Sequence, residues 1–97
     1  MSPKERILAA LYEAIDETNL QLPANERLMK DPTQQIFGSG GKLDSLGLVN
    51  FMVAAEQKVE SKLGTNVSIA SELLSSEDTK PFETIDSLAE FIAARMD

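Results

Sequence analysis

The chain has 97 residues, of which nine are basic and sixteen acidic, so its formal net charge is −7. This length predicts a single domain over residues 1–97, and an apolar fraction of 42% suffices for a small core that is mainly aliphatic, since only 5% of residues are aromatic. Cysteine and histidine are absent, which excludes disulfides, thiolate chemistry and the commonest general base and metal ligand, and the acidity argues against nucleic acid as a partner.

The first predicted element is a helix over residues 3–20. Ser2 fits its N-cap, Pro3 its first helical position and Glu5 the closing position of a capping box. Apolar residues then recur at helical spacing, and they are Ile7, Leu8, Leu11 and Ile15. This N-terminal segment lacks the apolar stretch of a signal peptide, and the chain has no run of about 18 apolar residues, so we expect a cytoplasmic protein without a membrane span.

Residues 21–43 are predicted to form a long connection. Pro23 ends the first helix, and further proline and glycine residues follow it. A connection of this length is uncommon in a small domain unless it is functional or anchored. Four apolar residues are expected to anchor it to the core, namely Leu28, Met29, Ile36 and Phe37.

The second predicted helix covers residues 45–63, with Asp44 as its N-cap and Gly64 as its C-terminal stop. Its core face comprises Leu48, Phe51, Met52, Ala55, Val59 and Leu63. A second stripe, here called the outer stripe, comprises Leu46, Val49, Val53, Glu56 and Glu60. A helix that packs on one side only does not need these apolar residues, so another element or a partner protein is expected to cover the outer stripe.

Two further helices are predicted after Gly64. Ser68 fits the cap of a short helix over residues 69–76, whose inward residues are Ile69, Leu73 and Leu74. After the break at Lys80-Pro81, Thr84 caps a last helix, whose apolar residues are Ile85, Leu88, Ala89, Phe91, Ile92 and Met96. No segment predicts a strand. The expected fold is all-α, a small four-helix bundle of three longer helices and one short one, with a long connection between the first two.

Ser45 is the candidate functional residue. Leu43 stands where the Gly-x-Ser-x-Gly elbow and the Gly-Asp-Ser-Leu esterases both need glycine, and the chain has no histidine to take the serine proton. We therefore expect that the chain is not an enzyme and has no metal site. In the first turn of a helix, the free N–H groups and the helix dipole favour an anion such as a phosphodiester. The alternative is that Asp44 and Ser45 only cap the helix.

Two segments resemble the acyl carrier protein family. Residues 40–49 (GGKLDSLGLV) resemble its attachment motif, and residues 82–92 (FETIDSLAEFI) resemble its last helix. The first two predicted helices also fit in length and place. The resemblance spans nearly the whole chain and lacks clear support only in residues 21–37 and 70–80.

The resemblance implies a passive carrier. A separate magnesium-dependent phosphopantetheinyl transferase modifies Ser45 with phosphopantetheine from coenzyme A, and the thiol of this arm holds acyl groups as thioesters. The other implied partners are an acyl-loading ligase or acyltransferase and downstream synthase enzymes, which dock on the second helix through basic residues. By position, the docking role carries over to Asp44, Leu46, Val49, Val53, Glu56 and Glu60.

The chain departs from the fatty-acid carriers in its second helix. Gly47, Asn50, Gln57 and Lys58 stand where those carriers often have acids, and the charges of residues 45–63 sum to zero. We therefore expect weaker electrostatic docking on standard fatty-acid enzymes. This favours a specialised carrier, serving a dedicated ligase, a polyketide-type or a surface-polysaccharide pathway.

Two other functions fit the same pattern. One is a carrier for an aminoacyl group, of the D-alanyl or peptidyl type, which shares the bundle and the serine. The other is a helical interaction module that is never modified. The sequence leaves open which cargo is carried and whether it enters the core, and a monomer is expected because no feature requires a dimer.

Overall fold

The all-α prediction is confirmed in the part of the chain that the computed structural model describes, which is residues 2–36, 43–69, 71 and 80–95. Its elements are α1 (Pro3–Asn19), a 3-10 turn (Ala24–Glu26), α2 (Ser45–Leu63), a second 3-10 turn (Lys80–Phe82) and α3 (Ile85–Arg95). Within these ranges the only β-type pairing is an isolated antiparallel bridge between Gln35 and Thr84. None of the helices in these ranges is long and apolar enough to cross a membrane. The short helix predicted for residues 69–76 lies almost wholly outside the described residues.

The first helix begins where its capping residues predict. The Ser2 hydroxyl accepts a hydrogen bond from the Glu5 backbone N–H (3.2 Å), which satisfies one of the free donors of the first turn. The helix ends at Asn19, one residue before the predicted end. There the Asn19 side chain holds the chain as it returns: Oδ1 accepts from the Leu28 N–H (2.8 Å) and Nδ2 donates to the Leu28 carbonyl (2.9 Å).

The connection is anchored by two of the four residues expected to do so. Leu28 and Ile36 are buried, as predicted, and Phe37 lies outside the described residues. The prediction for Met29 is wrong, because its side chain is 68% exposed. The Asn19 side chain fixes both backbone groups of Leu28, so Leu28 fills the core position and its neighbour faces solvent.

The start of α3 is bonded to the connection as well as to its own cap. The N–H groups of Ile85 and Asp86 donate to the carbonyls of Gln34 (3.0 Å) and Pro32 (2.8 Å). Thr84 caps the helix as predicted, since its Oγ1 accepts from the Ser87 N–H (3.1 Å). These bonds satisfy the N–H groups of the first three helical residues, which have no acceptor within the helix.

A reciprocal pair completes this cap. The Ser87 hydroxyl accepts from the Thr84 N–H (3.1 Å), the role that a glutamate or glutamine fills in a capping box. The result is that α3 begins at a fixed residue and the connection is held against it. Residues 32–36, which precede the Ser45 segment, are therefore tied to the far end of the sequence.

The core lies where the three helices meet. Its α2 face is buried as predicted from Leu48 to Val59, and Leu63 is half-buried. The other large buried side chains come from α1, the connection, the segment after α2, the second 3-10 turn and α3, and they are Ile7, Leu11, Ile15, Ile36, Ile69, Phe82, Ile85, Leu88 and Ile92. The prediction for Met96 lies outside the described residues.

Ion pairs at the surface join α1 to the other two helices. Lys4 contacts Asp86 (2.7 Å) and Glu90 (3.3 Å) on α3, and these carboxylates, Asp86 foremost, raise the pKa of Lys4. On the other side of α1, Glu17 and Glu13 pair with lysines of α2. The three helices are thus linked by charge as well as by the core.

The Thr84 cap supplies a test of this fold. We expect Thr84→Ala to lower the free energy of unfolding by about 1 kcal/mol, because the N–H of Ser87 loses its acceptor. Thr84→Ser keeps the hydroxyl and should retain most of that stability. Urea denaturation of the three proteins measures the difference, and equal losses in both variants would contradict a role for the hydroxyl.

Candidate functional site

The start of α2 is fixed by the carboxylate of Asp44. This residue has extended backbone (φ −78°, ψ −179°), and its Oδ1 accepts a hydrogen bond from the Gly47 N–H at 2.7 Å. The first intrahelical bond follows, from the Leu48 N–H to the Asp44 carbonyl (2.9 Å). Ser45 is therefore the first residue of a 19-residue helix, as the sequence predicts.

The absence of a side chain at position 47 leaves room for this cap. A Cβ atom on Gly47 would lie 3.1 Å from Oδ1 of Asp44 and 3.5 Å from a methyl carbon of Leu43. The first of these contacts is tighter than ordinary van der Waals contact, so a side chain at position 47 would require the carboxylate to shift by a few tenths of an ångström. Gly47, which sequence analysis noted only as a missing acid, is part of the geometry that positions Ser45.

This helix start has a chemical preference for negative charge close to Ser45. The dipole of an α-helix places a partial positive charge at its first turn, and an anion there gains about 0.3–1 kcal/mol. The Asp44 carboxylate already uses this field through its bond to Gly47. A phosphodiester joined to Ser45 would be near the same positive end.

The outer stripe is partly open to solvent. Leu46 is 71% exposed and Val53 is 41% exposed, whereas Val49 and Glu56 are half-buried and Glu60 is exposed. The described residues thus leave two large apolar side chains uncovered along one side of α2. This pattern is typical of a surface that a partner covers.

The charges of α2 are separated by side. Lys58 extends to Glu17 of α1 (2.9 Å). Lys62 pairs with Glu13, which precedes Glu17 by one turn of α1. The two glutamates of α2, Glu56 and Glu60, belong instead to the outer stripe. Although the charges of α2 sum to zero, its basic side chains extend toward α1 and its acidic side chains belong to the outer stripe.

A cleft of about 250 Å³ lies between the C-terminal end of α1 and the first half of α2. Its lining residues are Glu17, Thr18, Gln21, Leu22, Asp44, Leu46, Gly47, Asn50 and Ala54. Sequence reasoning missed this cleft, because it depends on how the end of α1 is placed against α2. The only signal in the sequence is the small or polar character of residues 47, 50 and 54.

The structure brings five of the seven predicted site residues into one region at the first half of α2 and places Glu56 and Glu60 farther along the helix. Asp44 and Ser45 lie at the helix start, Leu46 extends from the outer stripe to the cleft, and Val49 and Val53 follow along the stripe. Glu60 lies near the far end of α2, four turns from Ser45. The glycine-rich part of the attachment segment, residues 38–42, lies outside the described residues.

Comparison with protein-family models, with curated proteins and with solved structures finds no match for this chain. Among the described residues, no three acidic side chains gather closely enough to hold a metal ion. What points to a function is therefore the geometry of α2 together with the resemblance carried by residues 40–49 and 82–92.

The cap at Asp44 gives a second test. Asp44→Ala should lower the free energy of unfolding by about 1 kcal/mol and loosen the first turn, which carries Ser45. Asp44→Asn keeps an oxygen acceptor and should be close to the parent protein in stability. Amide hydrogen exchange at Gly47 measures the local effect, and unchanged exchange in Asp44→Ala would show that the carboxylate does not hold this turn.

Proposed function

We propose that the chain is an acyl carrier protein and that Ser45 is the residue modified with phosphopantetheine. The observation that carries this proposal is the position of Ser45 as the first residue of a capped helix, next to the exposed Leu46. The resemblance of residues 40–49 to the family's attachment motif supports the same residue. The proposal includes the finer fold, a four-helix bundle completed by a short helix at residues 69–76.

The attachment is a transfer from coenzyme A that a separate magnesium-dependent transferase catalyses. The Ser45 oxygen attacks the phosphorus that bears pantetheine, the bond from this phosphorus to the 3′,5′-ADP oxygen breaks, and the serine proton passes to a base of the transferase. When bound, the arm supplies a thiol that forms thioesters with acyl groups. The chain has no cysteine, so its own residues offer no thiol for this purpose.

The residues around Ser45 have supporting roles in this proposal. Asp44 fixes the helix start through the Gly47 N–H, which holds Ser45 in one place. The positive end of the helix dipole favours the phosphodiester. Neither role needs a general base on the chain, which agrees with the absence of histidine.

The outer stripe is the proposed docking surface for the transferase, the acyl-loading ligase or acyltransferase and the synthase enzymes. Leu46 and Val53 provide the apolar part of the contact, and Glu56 and Glu60 provide the acidic part. A partner with a basic rim around an apolar patch complements both features. The pairing of Lys58 with α1 keeps its positive charge away from this surface.

A specialised pathway remains part of the proposal. Gly47, Asn50 and Gln57 add no acidic charge where fatty-acid carriers often have it, so recognition depends on fewer carboxylates. We expect enzymes dedicated to this carrier to contact those few acids together with Leu46 and Val53. The cytoplasmic location and the monomeric state stay predictions.

Intact-mass measurement tests the modification. Incubation with coenzyme A, Mg²⁺ and a broad-range phosphopantetheinyl transferase should add one phosphopantetheine to the protein, and Ser45→Ala should add none. Ser61→Ala, which removes an exposed serine from the same helix, should be modified as fully as the parent protein. No addition to the parent protein would favour the unmodified interaction module.

Loading of the modified protein then separates the two kinds of carrier. An acyl carrier should accept fatty or other carboxylic acids from acyl-activating enzymes. Preferential loading by an enzyme that adenylates amino acids would instead support the D-alanyl or peptidyl alternative.

Charge substitutions on adjacent residues test the docking surface. Glu60→Gln and Ser61→Lys each raise the net charge by one, but only Glu60 belongs to the outer stripe. Glu60→Gln should lower kcat/KM for the transferase about two- to five-fold at low salt, equivalent to a surface ion pair of about 0.4–1 kcal/mol. Ser61→Lys should have a smaller effect, and equal effects would mean that net charge alone steers the partner.

A further inference from the structure

The cleft between α1 and α2 has a mixed chemical lining. Gln21 and Asn50 contribute exposed side-chain amides, and Thr18 contributes a hydroxyl. Leu22 and Ala54 are half-buried and supply apolar surface at the same site. The lining therefore combines neutral hydrogen-bonding groups with aliphatic contacts, which suits an uncharged ligand that has both amide and methyl groups.

The charged groups at the rim do not change this preference. Glu17 is paired with Lys58 at 2.9 Å, so one of the two lining carboxylates is already matched. The other belongs to Asp44, which accepts from the Gly47 N–H. A neutral ligand leaves both of these contacts in place, and a basic ligand gains little at Glu17 because Lys58 already balances its charge.

We propose that the phosphopantetheine arm rests in this cleft when no partner holds it, an inference that depends on the proposed function of Ser45. The pantetheine part of the arm contains two amides, one hydroxyl and a geminal dimethyl group. Its amides match Gln21 and Asn50, and its methyl groups match Leu22 and Ala54. The phosphate stays at the start of α2, where the helix dipole favours it.

The arm is long enough to reach the cleft from Ser45. From phosphorus to sulfur it has thirteen bonds, as many as roughly four extended residues, which span about 15 Å. A helix with its side chains is about 10 Å across, so the arm can pass around the first turn of α2. Asp44 and Leu46, the neighbours of Ser45 in the chain, both line the cleft and mark this path.

Attachment to the chain makes a weak site sufficient. A group on a short flexible tether has an effective concentration in the millimolar range, so contacts of millimolar affinity fill the cleft for a large fraction of the time. A shallow cleft of about 250 Å³ with a few hydrogen-bonding groups is suited to this regime.

The proposed resting place lies on a different side of α2 from most of the outer stripe. Val49, Val53 and Glu60 are absent from the cleft lining, and Leu46 is the one outer-stripe residue that belongs to it. A partner can therefore dock on the stripe while the arm is still in the cleft. Contact of that partner with Leu46 then provides a way to release the arm.

Nuclear Overhauser effects locate the arm directly. The protein is labelled with ¹³C and ¹⁵N and modified with unlabelled coenzyme A, and contacts are measured from the geminal dimethyl protons of the arm. We expect them to reach the methyl groups of Leu22 and Ala54, together with shifts in the side-chain amide signals of Gln21 and Asn50. Contacts to Val53 instead, or no contacts at all, would overturn the proposal.

A pair of substitutions on one side of α2 provides the control. Asn50 and Gln57 are seven residues apart, two turns along the helix, and only Asn50 lines the cleft. Asn50→Trp should obstruct the cleft and remove the contacts from the arm to Leu22. Gln57→Trp should leave them unchanged, and persistence of the contacts in Asn50→Trp would contradict an arm that lies against Asn50 and overturn the proposal.

The carrier function and the resting place of the arm can fail separately. If the intact mass shows no phosphopantetheine on Ser45, the carrier function itself fails. If the mass increases as expected but the arm contacts other residues, the carrier function stands and only the resting place in the cleft is wrong.

Discussion

The hydrogen bond from the Gly47 N–H to the Asp44 carboxylate fixes the residue at which α2 begins, and with it the place of Ser45 in the first turn. Successive residues of an α-helix are rotated by about 100°, so burial of the core face from Leu48 to Val59 then determines the side of α2 on which every other residue lies. This rotation leaves Leu46 in the solvent. Asp44 supplies the acceptor of this cap, and Gly47 supplies the donor N–H without a side chain that would crowd the carboxylate.

The pairing of α2 with α1 gives the helix two chemically different sides. Lys58 bonds to Glu17 and Lys62 to Glu13, so each lysine of α2 is matched by an acid one helix away. An exposed pair of this kind contributes only about 0–1 kcal/mol to stability. Its larger consequence is spatial, because both lysines of α2 extend toward α1 and both of its glutamates belong to the outer stripe, although the charges of the helix sum to zero. The summed charge of a helix therefore does not give the charge of the one side that a partner contacts.

Local signals in the sequence predicted the helices well. They could not predict features that depend on how distant segments of the chain pack together. The bounds of α2 and the caps at Ser2, Asp44 and Thr84 follow from residues within one turn, so a pattern suffices. The exposure of Met29 could not be predicted, since it depends on an amide of Asn19 ten residues earlier. The hydrogen bonds from the start of α3 to the connection could not be predicted either, and nor could the cleft. Each of them depends on the packing of two segments that are far apart in the sequence.

The composition of the chain and its geometry lead to the same division of roles. The chain has neither histidine nor cysteine, and in the proposed function its reactive thiol belongs to a group that another enzyme attaches. The first half of α2 can provide what such a group needs, with a fixed attachment residue at its start, a neutral cleft on one side and an apolar, acidic stripe on another. Leu46 belongs to both the cleft and the stripe, so in the proposed carrier a partner that buries Leu46 also changes the surroundings of the arm. Recognition of the carrier and release of its arm would then be coupled through one side chain.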